Sequence, residues 1–149
     1  MYTTTSPPIL VYFSDRASCK RLVTAGAALA KEQHRALSLL FVQPQELVSK
    51  TVAEDIQTVY NIATREGAEI TVLFSDEPLL SLAVHARQTK AVQIVIDESN
   101  TAGRPTLAIL RTLLPDLPIT VLQKGGNAVT FPPSEITTQN RRLHPAPAP

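Results

Sequence analysis

Apolar residues along this chain alternate between two spacings. Short, nearly unbroken apolar runs fall at residues 9–13, 37–42, 69–74, 92–96 and 119–122. Runs of this length, bounded by polar or turn residues, suit strands of a parallel sheet buried on both faces. Between them the period lengthens to three or four. From Cys19 to His34, Leu22, Val23, Ala27, Leu29 and Ala30 recur with charged residues in between. Over residues 45–66 the apolar positions are Leu47, Val48, Val52, Ile56, Val59, Tyr60, Ile62 and Ala63, and Gly67 is placed to end that helix in the left-handed conformation. Pro78 and Pro105 open two shorter helices, 78–88 and 105–114. Ser18 and the pair Ser75-Asp76 offer N-caps. The predicted order is βαβαβαβαβ. That order implies an α/β fold, an open parallel five-stranded sheet with helices on both faces, in three α/β/α layers.

Proline and charge refine this picture. Many of the 12 prolines fall at the two ends of the 149-residue chain. Residues 125–149 combine Gly125-Gly126, Pro132-Pro133 and a Pro-Ala-Pro-Ala-Pro ending with few apolar side chains. The segment has too little apolar surface to offset the entropy of ordering it. It reads as a flexible Pro-rich tail held in part by Phe131, following one domain over residues 1–124. A net charge of +1 gives no electrostatic case for nucleic acid or an anionic membrane. No apolar run approaches the roughly 18 residues needed to span a bilayer. Residues 1–8 lack the pattern of a secretory signal. The single cysteine, Cys19, has no internal partner, and a reducing cytoplasm is the expected location. Cys19 is expected to pack as a small apolar side chain.

Open parallel sheets bind ligands outside the carboxyl ends of their strands, where the strand order reverses. That rule selects Ser14, Asp15 and Arg16 after the first strand, Val42 and Gln43 after the second, Ser75 and Asp76 after the third, and residues 97–104 after the fourth. Lys20, Arg21 and Arg104 add positive charge nearby. The chain has no phosphate-binding glycine loop and no nucleophile elbow. His34, His85, His144 and Cys19 show no metal-ligand spacing. No catalytic or metal residue is assigned, and no enzymatic activity is expected. The acidic pairs Asp76-Glu77 and Asp97-Glu98 read as caps or solvated loop charges. Asp15, Asp76 and Lys124 together suggest a phosphoreceiver domain as an alternative, although only one acidic residue follows the first strand where that family needs two.

The element order and the stretch Ile9-Leu-Val-Tyr-Phe-Ser14 resemble the universal stress protein family. The resemblance implies an adenine nucleotide alpha hydrolase-like fold and a non-catalytic stress or signalling role. In that family the first strand ends in an aspartate that meets adenine, followed by a small Gly-Ser turn; here Ser14 occupies the aspartate position and Asp15-Arg16 replaces the turn. ATP-binding members wrap the phosphates with a Gly-x-x-Gly stretch after the fourth strand. This chain reads Asp97-Glu-Ser-Asn-Thr-Ala-Gly-Arg-Pro-Thr106 there, with one glycine left. Only glycine lets backbone approach phosphates so closely, so ordinary ATP binding is disfavoured.

The segments Lys20–Lys31, Leu39–Pro44, Ala63–Ile70 and Ala91–Ile96 are similar to the stress-protein-like domain of potassium-responsive sensor kinases of the KdpD type. Some members of that subgroup bind cyclic di-AMP through a Ser-x-Ser pattern and, some twenty residues on, Phe-Thr-Ala-x-Tyr. Ser14-x-Arg16 and Leu37-Ser38-Leu39-Leu40-Phe41 follow it in part: Ser14 matches, Ser38 replaces threonine conservatively, Phe41 replaces tyrosine with loss of the hydroxyl, and Arg16 and Leu37 depart. The resemblance therefore implies an adenine nucleotide such as cyclic di-AMP as ligand. The implied ligand residues are Ser14, Asp15, Arg16, Ser38, Phe41, Asp97, Ser99, Arg104 and Thr106. It also implies a homodimer paired through the last strand, Ile119–Leu122, and a protein partner in a signalling or potassium-transport system. The alternative is a degenerate scaffold that has lost nucleotide binding and acts through protein contacts alone.

Overall fold

The computed structural model describes residues 7–46, 50–98 and 106–133. The chain runs β1 (Ile9–Phe13), a 3-10 turn (Arg16–Ser18), α1 (Cys19–Gln33), β2 (Leu37–Gln43), α2 (Lys50–Glu66), β3 (Glu69–Phe74), α3 (Pro78–Thr89), β4 (Gln93–Asp97), α4 (Thr106–Leu113), β5 (Ile119–Leu122) and β6 (Ala128–Phe131). These strands form one sheet in the order β3-β2-β1-β4-β5-β6. The first five run parallel, and β6 returns antiparallel to β5.

Alternation along each strand divides the core in two. Ile9, Val11, Phe13, Leu39, Phe41 and Val95 pack under α1 and α2. Leu10, Tyr12, Leu40, Val42, Ile94, Ile96 and Val121 pack under α3 and α4. Central strands buried on both faces are apolar over most of their length, which is why β1, and β4 between Gln93 and Asp97, carry no alternation for a reader of the sequence to find. The long helices of the first layer sit close. At Gly26 of α1 an added Cβ would stand 2.5 Å from Val11 Cγ2 and 3.2 Å from Leu37 Cδ1. Gly26 thus lets the helix backbone approach β1.

Helix ends follow the expected chemistry in part. Gly67 closes α2 at φ +69, as its position predicts. His34 and Lys90 take the same left-handed role after α1 and α3. The N-terminal cap of the first helical segment differs. Ser18 makes no side-chain cap to α1. Instead the Asp15 carboxylate accepts the Ser18 N–H at 2.9 Å and the Ser18 hydroxyl at 3.1 Å. The 3-10 turn at residues 16–18 moves the first free N–H groups one turn earlier, within reach of Asp15. Ser75 accepts the Glu77 N–H at the start of α3, whereas Asp76 reaches back to the Gln45 N–H at 3.1 Å.

Among the described residues the sheet has six strands where five are predicted. The sixth lies in the segment read as tail, and three features hold it. Gln123 and Gly126 close a tight turn (Gly126 N–H to Gln123 C=O, 2.9 Å), with Gly126 at φ +93. A chain of side-chain hydrogen bonds then crosses the sheet: the Gln33 amide donates to Gln93 Oε1, the Gln93 amide to Thr120 Oγ1, and Thr120 meets Thr130 Oγ1 at 2.8 Å. On the other face Phe131 packs against the second core, with Arg111 over its ring. Residues 134–149 lie outside the described residues.

Candidate functional site

The strand order places the reversal between β1 and β4. From β1 the chain steps outward to β2 and β3, then crosses back to β4 on the other side of β1. The β1–β2 ladder continues to Phe13, opposite Phe41, whereas the β1–β4 ladder stops at Val11 opposite Val95. Beyond that point lies the crevice at the carboxyl edge in which such sheets hold ligands.

On the β1 side the crevice carries Ser14, Asp15 and the start of α1. Gln43, buried at the end of β2, donates its amide to the Ser14 carbonyl at 2.7 Å and so fixes the turn after β1. Burial pushes the pKa of the Tyr12 hydroxyl up, and the Ser14 side chain acts in the opposite direction. Asp15 is engaged as the cap. Arg16 turns away from the sheet toward α2, where its guanidinium lies 3.6 Å from Asp55.

On the β4 side stands Asp97, buried at the strand's last position. Its carboxylate is bound by Arg21, the third residue of α1, which also donates to the Gln123 carbonyl just after β5 at 3.4 Å. One side chain therefore ties α1, β4 and the end of β5 together across the crevice. Thr106 is buried at the first position of α4.

The implied ligand residues thus separate. Ser14, Asp15, Asp97 and Thr106 sit at carboxyl ends or at the helix start that follows one. Arg16 is diverted to Asp55. Phe41 is fully buried and stacked on Phe13 at 5.1 Å, so its role is in the core beneath α1 and α2. Ser38 is buried beside Leu10 near the amino end of β2, away from the crevice. The parallel register makes this unavoidable, because a residue entering β2 cannot face the edge at which β2 leaves. Ser99 and Arg104 lie outside the described residues. Arg21 and Asp97 as a pair were not singled out from sequence. The available signal was a cation in the first turn after one strand and an acid ending another, on the two strands that flank the reversal.

Two further expectations meet the geometry here. A phosphoreceiver arrangement needs the third strand beside the first, as in the order 2-1-3-4-5. Here β3 is an edge strand with β2 between it and β1, so Asp76 is removed from Asp15. Cys19 is fully buried, and its thiol pKa is pushed up to about 11 by burial and then by the Asp15 carboxylate, so at neutral pH it is protonated and unreactive.

Comparison with known proteins agrees with this architecture. No family model matches the chain, and no curated protein matches it by sequence. Solved structures do match by shape. A universal stress protein from Archaeoglobus fulgidus, solved in complex with dAMP, is similar at a TM-score of 0.56 and 17% identity, over 78% of this chain and 96% of that one. Another structure of universal stress protein from Archaeoglobus fulgidus gives 0.58 and 20% identity over 77% and 92%. A universal stress protein in complex with cAMP gives 0.58 and 13% identity over 79% and 97%. The chain has the three-layer α/β/α fold of universal stress protein structures.

Proposed function

We propose that this chain is a non-catalytic stress or signalling module of the universal stress protein type, acting in the cytoplasm, whose β1–β4 crevice takes an adenine-containing nucleotide. The observation that carries the reading is the crevice itself, flanked by Ser14 and Asp15 on one strand and by the Arg21–Asp97 pair on the other, in a fold whose solved relatives were captured with dAMP and cAMP. Cyclic di-AMP is the finer reading, and a role beside a potassium-transport or signalling partner goes with it. Burial of Ser38 and Phe41 takes away two of the residues offered for the cyclic dinucleotide, which favours a smaller nucleotide.

A melting scan against AMP, cyclic AMP, ATP and cyclic di-AMP tests the proposal. A ligand at a hundred times its dissociation constant adds about 2.7 kcal/mol of stability, a shift of several degrees in Tm for this size. A shift with AMP or cyclic AMP supports the reading; a shift with cyclic di-AMP alone supports the finer one. A flat result with all four overturns both and moves the assignment to a protein-binding scaffold. One observation favours that second reading: β6 leaves an exposed strand edge, the ordinary means by which a sheet pairs with another chain.

A further inference from the structure

We propose that the outer face of α3 is a pairing surface, on which a second copy of this chain docks with its own α3 running antiparallel across a two-fold axis. The inference is independent of the nucleotide crevice and uses none of its residues.

Six large apolar side chains stand exposed among the described residues. Tyr60, Phe74 and Val129 lie singly on α2, β3 and β6, as apolar side chains do on any protein surface. The other three are gathered. Leu80 and Val84, 52% and 47% exposed, stand one turn apart on α3, and Ile109, 40% exposed, is on α4. Both helices link parallel strands across the same face of the sheet, so they run in one direction. They touch where the Arg87 guanidinium donates to the Leu113 carbonyl at 2.6 Å. Val84 and Ile109 each lie one turn back from that contact, and so belong to one apolar face. The side of α3 that meets the sheet is filled separately, by Leu82, Ala83 and Ala86.

The pattern along α3 selects the occupant. Glu77, Leu80, Val84 and Arg87 are spaced three, four and three residues apart, the stripe along which two helices meet. That spacing reads the same in both directions. An antiparallel second copy therefore sets Leu80 against Val84 of the partner subunit and Glu77 against Arg87 of the partner subunit, and the two-fold axis repeats both contacts. Parallel pairing would set like charges together, so the charges fix the direction. Both charged side chains are exposed, and among the described residues neither forms an ion pair within its own chain. Glu77 precedes the helix without using its side chain as a cap. The bond to Leu113 holds Arg87 in place and leaves further guanidinium N–H groups to donate. The 12 residues of α3 make a helix about 18 Å long. A face of that length falls short of the roughly 1,600 Å² of a standard interface, so the pairing is reversible and depends on concentration.

Sedimentation equilibrium of the full chain, from micromolar to millimolar concentration, tests this. The natural chain should pass from monomer to dimer over that range. Val84→Lys should weaken the dimer at least tenfold, and Ala128→Pro, on the edge strand, should leave it unchanged. Glu77→Arg and Arg87→Glu should each weaken it, because each sets like charges together twice. An equimolar mixture of those two single variants should regain the dimer, since every mixed contact again matches acid to cation. Should Arg87→Glu fail to fold for want of the bond to Leu113, a mixture of Leu80→Glu with Val84→Lys makes the same test at two exposed positions. A natural chain that stays monomeric throughout, a dimer indifferent to Val84→Lys, or mixtures that stay monomeric overturn the assignment. A dimer lost in Ala128→Pro and kept in Val84→Lys also overturns it, and places the pairing at the sheet edge.

Discussion

At the scale of single residues, the titratable groups that the fold perturbs lie at its margins as well as at its crevice. His85 on α3 has its Nε2 buried with no hydrogen-bond partner among the described residues. Burial disfavours the imidazolium and lowers the pKa below the ordinary 6.5. The unfolded chain therefore binds a proton more readily than the folded one, and stability rises with pH across that interval. The contribution is complete above about pH 6.5 and is lost as the pH falls from there toward the lowered folded value. Melting temperatures measured from pH 7.5 to 5 should decline in this window, and His85→Leu should flatten that part of the decline. An identical slope in the variant would remove His85 as its cause. Cys19 packs as the small apolar side chain expected of it, whereas His85 is the residue at which sequence reading had least to offer, because burial, not residue type, decides its chemistry.

At the scale of elements, the contact of α1 with β1 is the tightest constraint described. Gly26→Ala would drive a methyl carbon to 2.5 Å from Val11, a fully buried side chain with no room to withdraw. Overpacking of this kind costs about 1–3 kcal/mol, against a gain of up to about 1 kcal/mol in helix propensity. The net expectation is a Tm lower by a few degrees, read by thermal denaturation; an unchanged or raised Tm would show that α1 can lift from the sheet. The same contact positions Arg21, because α1 sets how far its first turn stands from the end of β4. Sequence patterning located the five predicted strands and four helices within one or two residues at most ends, since their apolar periods are strong. It did not identify β6. The four residues Ala128–Phe131, three of them exposed, carry too little apolar signal, although a Gly-Gly pair between β-branched runs is itself a hairpin signature.

For the whole molecule, β6 relocates the surface at which two copies would meet. Ile119–Leu122 was the edge expected to pair, yet β5 is flanked by β4 and β6 and has no free side. The exposed edge on that side belongs to β6. Gln123 N–H bonds to Asn127 C=O, and alternation along an antiparallel ladder then turns the backbone groups of Ala128 and Thr130 outward. Ala128→Pro would remove an outward N–H while sparing the bonds to β5. If the protein is a homodimer through this edge, sedimentation of the variant at micromolar concentration should give the monomer and the natural chain the dimer. A natural chain that sediments as a monomer would overturn the pairing.

The sequence by itself determined the layered α/β architecture, the helix boundaries marked by Pro78 and Gly67, and the edge of the sheet where ligands belong. These follow from local periods and from backbone preferences that act within a few residues. Only the tertiary structure decided which candidates share a crevice. Register buried Ser38 and Phe41, an ion pair with α2 drew Arg16 aside, and the order of strands brought Arg21, 76 residues away in sequence, onto Asp97. Charges that far apart in sequence have no shared pattern to read, since their meeting depends on how the strands are ordered and not on the spacing of the residues between them.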